Sequence, residues 1–341
     1  MESRKIQRVG NGTYTVSLPK DWAESQGIAS GDIVTLHDHI DGVLAVQTGN
    51  GDDEDPPFAR IESADPEVIE RALRAAYAAG AREVTLERDE PLTPDQRRAV
   101  ERVARNRIGM SVAAKSETVT TVQIMLDSTE VSVSQSLRQL AFTVRSIHRD
   151  AVEALATPPD SSPTGSRDTQ VDRLASMIDR SVSRGMADLG EVDALGTTRP
   201  ELFESWTAMR ELCRFRDAAA EIGDAAAALD APPSDGRLET YRDIGAGVRA
   251  VVSDGVSVTL GDEGADVARA AIGDLSRAHH EIDALDRALD VGGERGAALR
   301  RVLRALRRTA DCGGGVAQIG LRRAIRCQET IRDRRPERMN E

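Results

Sequence analysis

Positive charge is concentrated at the start of the chain. Four cations lie within the first twenty residues, where Glu2 alone opposes them and the local charge is +3: Arg4, Lys5, Arg8 and Lys20. The guanidinium group of arginine forks onto phosphate oxygens or onto a guanine edge, so these residues predict contact with nucleic acid. The stretch that follows adds five acids: Asp21, Glu24, Asp32, Asp38 and Asp41. A module that only dimerises, without touching nucleic acid, therefore stays open as the alternative.

The elements that must position these cations are short strands. Alternation of apolar and polar residues predicts four of them: 4–9, 13–18, 33–36 and 43–46. Glycine-containing turns, Gly10-Asn11-Gly12 and Asp41-Gly42, join the strands of each pair, and a helical turn or two between the pairs closes at Gly27. Strands this short cannot bury a core by themselves. We therefore expect two chains to interleave their strands.

This first stretch resembles the AbrB/SpoVT/MazE family of swapped-hairpin proteins. The likeness is carried by Val16-Ser17-Leu18-Pro19-Lys20, by the Gly-Ile-x-x-Gly-Asp pattern from Gly27 to Asp32, and by the closing hairpin. The resemblance implies a homodimeric β-barrel that binds DNA through a basic N-terminal face. On this chain that face would hold the four cations named above: Arg4, Lys5, Arg8 and Lys20.

Residues 58–127 predict a small α/β unit that follows a linker at 50–57, which is rich in Gly, Asp, Glu and Pro. Asp65-Pro66 and Thr93-Pro94 each join an N-cap residue to a first-turn proline, so each opens a helix. The element order β-α-β-α-β-β suggests a split βαβ sheet. Such units sometimes hold small effectors, but no catalytic or phosphate-cradling motif occurs here, so we expect a spacer or dimerisation role.

One amphipathic segment occurs twice in the second half of the chain. Arg210–Asp230 and Arg304–Arg326 coincide after a shift of 94 positions, which brings Leu212 onto Leu306. Self-similarity at this distance indicates one helical unit used twice. Helical periodicity predicts six helices, with a Pro-rich break between the third and the fourth: 131–156, 167–190, 200–230, 236–260, 262–292 and 295–331. We expect an all-α region over 130–332 made of two related three-helix bundles.

The duplicated region resembles the PhoU family over roughly residues 130–330. The likeness is carried by Arg214-Phe215-Arg216-Asp217 with Ile222, by residues 308–317, and by two further segments, 168–174 and 281–285. The resemblance implies a regulator of phosphate uptake that acts with the ATPase of a phosphate ABC transporter or with a signalling partner. A swapped-hairpin head joined to such a region resembles a regulator type of halophilic archaea.

The PhoU resemblance also implies a metal-binding motif, in which two acids are separated by three residues. On a helix both carboxylates then lie on one face, and two such helices form an oxygen-rich site for a divalent or iron-type ion. The candidate ligands are Asp168, Asp172, Asp217, His279, Asp283 and Asp311. Cys213 and Arg307 replace the acids expected before Asp217 and Asp311, and an arginine there repels an ion. Acids on the solvated face of a helix are therefore the competing interpretation.

Composition narrows the class of protein. The net charge is −12, from 57 acids and 45 cations, and only three of the cations are lysines. An acidic, lysine-poor chain suits a high-salt cytoplasm, although a GC-rich genome also favours arginine. No membrane span or signal peptide is predicted, and three cysteines without metal-type spacing indicate a reduced compartment. We therefore predict a cytoplasmic protein.

The fold class predicted is multi-domain α+β, with domains at 1–49, 58–127 and 130–332. Nucleophile–base pairs, Walker loops and Rossmann glycine patterns do not occur in the sequence, so we expect no enzyme activity. His148 and His280 stand alone at helical positions, where a structural or exposed role is the more common one. Gly313-Gly314-Gly315 is unfavourable inside a helix and is best explained by close approach of another helix.

Overall fold

The computed structural model describes residues 3–10, 12–38, 43–48, 58–115, 118–157, 164–290 and 292–329. The chain divides into two compact units, Met1–Pro56 and Pro57–Glu341, here called the head and the body. Several sequence predictions lie wholly or largely outside the described residues: the Asp41-Gly42 turn, the linker at 50–57, the break at 157–165 and the tail after 332.

The head consists of two β-hairpins and one short helix. Strands β1 (Gln7–Val9) and β2 (Thr13–Thr15) pair antiparallel, as do β3 (Val34–Asp38) and β4 (Leu44–Thr48), and helix α1 spans Lys20–Ser25. The described strands form two separate two-stranded sheets and close no barrel within the chain. A two-stranded hairpin is only marginally stable alone, because half of its backbone groups stay unpaired. The predicted barrel is therefore not formed by one chain.

The loop after α1 explains the Gly-x-x-x-Gly-Asp spacing in physical terms. Gly27 follows the end of α1 with φ of 69°, and Gly31 has φ of 103°, a conformation in which a side chain is strained. The Asp32 carboxylate accepts a 2.7 Å hydrogen bond from the backbone N–H of Ala29. Two glycines and one carboxylate therefore set the path of the chain into β3.

The body begins with a four-stranded sheet and two helices. In chain order these are β5 (Phe58–Ile61), α2 (Pro66–Ala78), β6 (Glu83–Glu87), α3 (Pro94–Arg105), β7 (Met110–Lys115) and β8 (Val119–Ile124). The strand order is β5-β6-β8-β7, with β5 and β6 paired in parallel. The predicted split βαβ arrangement is confirmed for β6-α3-β7, because the antiparallel β8 lies between these two parallel strands. The unit β5-α2-β6 is not split, since its two strands are direct neighbours. The helix starts are correct, since Asp65 and Thr93 cap α2 and α3.

The six predicted long helices are all present in the remainder of the body. A 3₁₀ turn at Ser128–Glu130 precedes α4 (Val133–Glu153), α5 (Thr164–Ala187), an additional short α6 (Leu189–Ala194), α7 (Arg199–Ala227), α8 (Asp235–Leu260), α9 (Ala265–Arg287) and α10 (Gly293–Arg326). Among the described helices, none combines the length and the apolar character that a membrane span requires.

The helices form two sets of three that share one core. Helices α4, α5 and α7 pack together, as do α8, α9 and α10, and the most extensive contact joins α7 to α10. These two helices carry the duplicated segments, and the equivalent residues Leu212 and Leu306 are both fully buried. A single apolar cluster runs from α4 to α10. The two sets therefore share their main core, and two smaller apolar clusters lie within the second set alone.

Close helix approach accounts for the glycines of α10, because this helix is surrounded by three others. A Cβ at Gly313 would lie 3.3 Å from Val252 of α8, a Cβ at Gly315 would lie 3.1 Å from Glu211 of α7, and a Cβ at Gly314 would overlap Leu275 of α9. On the facing helix, a Cβ at Gly255 would lie 2.8 Å from the backbone nitrogen of Ala317. The packing interpretation of the triplet is confirmed.

A buried polar chain crosses the centre of this core. Arg249 can only donate, so the 3.2 Å contact of its Nη1 makes His148 Nδ1 an acceptor. The ring proton then lies on Nε2, which contacts the Thr309 hydroxyl at 3.3 Å, and that hydroxyl donates to the carbonyl of Leu306. Burial, together with the charge of Arg249, lowers the pKa of His148 to about 3. This histidine is a neutral connector of α4, α8 and α10.

Candidate functional site

The four predicted DNA-binding cations all lie exposed on the head. Arg4 and Lys5 precede β1, Arg8 stands on β1 opposite Tyr14, and Lys20 begins α1. Lys20 also lies 3.5 Å from Glu24, so part of its charge is directed towards an acid of its own helix. The hairpin and the segment before it therefore form the candidate nucleic-acid surface.

The head also exposes an unusual amount of apolar surface. Nine large apolar side chains are between 38% and 82% exposed: Ile6, Val9, Tyr14, Val16, Leu18, Ile33, Leu36, Val43 and Leu44. Among its described residues, none reaches the burial typical of a core. Large exposed apolar patches mark interaction sites. The described residues of the head do not cover these nine side chains, which we call the apolar surface of the head.

Three of the predicted metal ligands in the first helical set converge on an arginine. The guanidinium of Arg216 lies 2.8 Å from Asp217, 3.3 Å from Asp172 and 3.7 Å from Asp168. Burial opposes the charge of Arg216, but the nearby Asp217 and Asp172 raise its pKa overall. The position between these carboxylates is therefore held by a permanent cation that belongs to the chain.

The predicted ligands of the second helical set form two separate contacts. Arg307 pairs with Asp283, and His279 Nε2 lies 3.0 Å from an oxygen of Asp311. The latter contact is too oblique for a hydrogen bond, because the buried Nε2 finds no aligned partner in the described part of the chain. An arginine therefore stands beside Asp283, one of the two acids of this set.

A metal ion does not fit these residues as they are arranged. Within the described ranges, no three histidine, cysteine, aspartate or glutamate side chains are grouped so that they could hold one. Arg216 and Arg307 supply the positive charge that an ion would otherwise bring, and they would repel it. Burial raises the pKa of Cys213 to about 11, so its thiol is not a ready thiolate ligand at neutral pH.

An arginine-lined cleft lies beside the first acid cluster, and the sequence analysis missed it. Its volume is about 450 Å³, and its cationic lining comes from four residues: Arg74, Arg107, Arg210 and Arg214. Asp172 and Asp217 of the acid cluster also line it, so it adjoins the predicted site. The four arginines come from three separate segments, with Arg210 and Arg214 together on α7, and arginine is common throughout the chain. The sequence therefore contained no local signal for this cleft.

Comparison with known families identifies only the head. A search of curated proteins found no match to the chain. Residues 7–50 match the family of MazE proteins, described as antidote-toxin recognition proteins and bacterial antitoxins. The match covers both hairpins and the short helix. The head is therefore a MazE/AbrB-like domain, in agreement with the resemblance carried by Val16–Lys20 and Gly27–Asp32.

Proposed function

We propose that this protein is a non-enzymatic, homodimeric DNA-binding regulator of phosphate uptake. The head binds DNA, and the helical part of the body acts as a PhoU-like module that binds a partner or an effector. The observation that carries the proposal is the MazE-like match over residues 7–50, joined to exposed cations at the N-terminus. The phosphate part rests on the resemblance of the duplicated helices to the PhoU family.

The apolar surface of the head supports a dimer as the DNA-binding species. Two chains that interleave their hairpins would bury these side chains against each other and pair the open strand edges. A dimer would also bring two copies of Arg4, Lys5 and Arg8 to one face. About six phosphate contacts would then give a salt slope of roughly −5 in a plot of log affinity against log salt.

The acidic, lysine-poor composition supports the proposal of a halophilic source, in which the protein would work at high salt. Most of the phosphate attraction is lost there, so base and shape contacts must carry specificity. Footprinting in molar KCl on genomic fragments is therefore the appropriate test. We expect protected sites next to phosphate-uptake genes, and chromosome occupancy that changes between high and low phosphate.

A matched pair of variants tests which cations matter. The triple change of Arg4, Lys5 and Arg8 to Ala should abolish protection and flatten the salt slope, since it removes the contacts themselves. The control removes the same charge from the body by changing Arg97, Arg98 and Arg105, on an exposed face of α3, to Ala. This variant should keep the DNA protection and the salt slope unchanged. Equal behaviour of the two triple variants would refute the DNA-binding role of the head.

A second candidate function follows from the weak positive charge of the head. Lys20 is paired with Glu24, and acids dominate the stretch after it. In this alternative the head only dimerises, and the body docks on a phosphate-transporter ATPase or on a signalling protein. Normal phosphate regulation in cells that carry the Arg4, Lys5 and Arg8 triple variant would favour the alternative over DNA binding.

A further inference from the structure

The arginine-lined cleft lies where the α/β part of the body meets the first helical set. Arg74 comes from α2, Arg107 follows α3, and Arg210 and Arg214 belong to α7, while α5 forms the floor between them. The volume of about 450 Å³ falls within the range of small-molecule sites, which is about 300–1,000 Å³. Four arginines and three aspartates line the cleft, so its lining carries a formal charge of +1 in a protein whose net charge is −12.

The acids that line the cleft are already engaged. Arg216, which lies outside the lining, holds Asp172 at 3.3 Å and Asp217 at 2.8 Å. Asp179 accepts a 2.7 Å hydrogen bond from the indole N–H of Trp206. The single charge of Arg216 is therefore shared by two of the three carboxylates and offsets only part of theirs, whereas Asp179 is bonded to a neutral donor.

Two of the lining arginines have no carboxylate partner among the described residues. The described hydrogen bond of the half-buried Arg107 runs from Nη1 to the carbonyl of Asn106, and its Nε is buried without a partner. Burial, and next the charge of Arg74, lowers the pKa of Arg107, yet an arginine stays protonated at neutral pH. Arg210 lies over the ring of Trp206, 5.8 Å from its centre. Burial of the unpartnered Nε of Arg107 costs free energy, and an anion that accepts its hydrogen bonds would offset that cost. The exposed Arg210 keeps its charge available at the same cleft.

We propose that this cleft binds a small anion that carries a phosphate group, with Arg107 and Arg210 as its principal contacts. Guanidinium groups bind phosphate through paired N–H donors, and the size of the cleft suits a phosphorylated metabolite as well as free phosphate. The site stands on the geometry of the body alone. It does not depend on DNA binding by the head.

The test uses the full-length chain with Trp22→Phe, which leaves Trp206 as the one tryptophan of the sequence. Trp206 contacts both Asp179 and Arg210, so an anion that moves Arg210 should change its fluorescence. Inorganic phosphate, pyrophosphate and ATP without magnesium are titrated separately at constant ionic strength, with calorimetry as a second readout. Saturation by phosphate alone identifies free phosphate as the ligand. Saturation only by the larger probes identifies a phosphate ester or anhydride.

The duplicated helix supplies a matched control. Arg210→Ala should weaken binding by at least about tenfold, the effect of one charge-assisted hydrogen bond. Arg304→Ala removes the equivalent exposed arginine of α10, 94 positions later, and should change nothing. Asp179→Asn keeps the acceptor for Trp206 and removes the opposing charge, so it should strengthen binding several-fold.

Arg107→Met should also weaken binding, but this partly buried change can lower stability. Arg210 is exposed, so the Arg210→Ala variant tests anion binding without this effect on stability. The proposal is overturned if no probe gives saturable heat or fluorescence up to about 10 mM, well beyond the ~1 mM at which a weak site is half filled. Equal affinities of the Arg210→Ala and Arg304→Ala variants would overturn it as well.

Discussion

The head and the α/β part of the body are built from similar short strands, yet among the described residues the second alone has a core. In the body, helices α2 and α3 cover the sheet, and Ile69, Leu73 and Val84 are completely buried. In the head, Ile33 is 82% exposed and Leu36 is 58% exposed. The alternation of apolar and polar residues is present in both regions. What differs is the layer of helices that covers the strands, which the body has and the head lacks among its described residues.

This difference shows that a strand pattern predicts an apolar face but not what covers it. Two packed layers are the minimum for a hydrophobic core. The body supplies its second layer from its own chain, through crossover helices of 12 and 13 residues. The six-residue α1 of the head is too short to do the same for two hairpins. We therefore expect a second copy of the chain to supply the second layer of the head, as in the dimer proposed above.

The largest expected effect tests the covering of the head. Leu36→Asp places a charge on the apolar surface of the head, so we expect complete loss of the dimer and of ordered head structure. Phe142→Asp alters a body residue that is 72% exposed and should change stability by no more than about 0.5 kcal/mol. Light scattering coupled to gel filtration measures the dimer, and thermal unfolding measures the body. A dimeric Leu36→Asp protein would contradict the expectation that a second copy covers the apolar surface of the head.

The next effect tests how tightly the body is packed relative to the head. Gly255→Ala puts a Cβ 2.8 Å from the backbone nitrogen of Ala317, which cannot move aside as a side chain can. We expect destabilisation of about 1–3 kcal/mol, as for overpacked cores. Gly247→Ala on the same helix meets open space and should stabilise by ~0.5–1 kcal/mol. Denaturant unfolding measures both, and two changes of the same sign would contradict close packing of α8 on α10.

The acid sensitivity of the body should exceed that of the head because of His148. Its pKa is lowered from 6.5 to about 3 in the folded chain, so between these values only the unfolded chain binds the proton. The contribution of neutral His148 to the free energy of unfolding is therefore fully present above pH 6.5. It falls with decreasing pH by up to ~1.4 kcal/mol per unit. Over one pH unit below 6.5 we expect a loss of about 1 kcal/mol.

His148→Gln provides the comparison for that acid effect. The variant removes the titrating group, so its stability should fall less steeply between pH 6.5 and 5 than that of the parent chain. Unfolding free energies at matched pH values measure the difference. Parallel curves for the two proteins would show that His148 takes up its proton in the folded state as readily as in the unfolded one.

The smallest effect concerns the surface of the body. Arg138 of α4 forks onto Asp262 after α8, with contacts of 2.8 and 3.2 Å, and both side chains are nearly half exposed. Exposed pairs contribute little because solvent already stabilises both charges. Arg138→Ala should therefore cost only about 0.2–1 kcal/mol, and less in molar salt. A larger loss would mean that ion pairs, rather than the core, dominate the stability of the body.

Local signals explain which elements could be predicted. Asp65, Thr93 and Thr198 cap helices because their side chains bond to backbone groups two or three residues away. The duplicated segments were recognisable because both copies place the same residues, such as Leu212 and Leu306, against one core. The order of the elements predicted the split unit β6-α3-β7, but it could not predict that β5 pairs directly with β6, because no local signal sets the neighbours of a strand.

Local sequence signals also could not predict how the residues of the candidate sites meet. Spacing correctly put Asp168 and Asp172 on one helix face, but it could not show that Arg216 turns towards them across the gap between α5 and α7. The cleft around Arg107 and Arg210 was beyond prediction, since its lining is assembled from residues that are more than a hundred positions apart.

The sequence by itself determined the helices and strands, the kind of head and the repetition of the helical unit, because each depends on contacts within a few turns or on direct self-similarity. Only the tertiary structure decided where charges meet. A guanidinium group can reach several Å in any direction, so its partner is set by the packing of helices. That packing placed Arg216 among the aspartates and left Arg107 and Arg210 facing an open cleft.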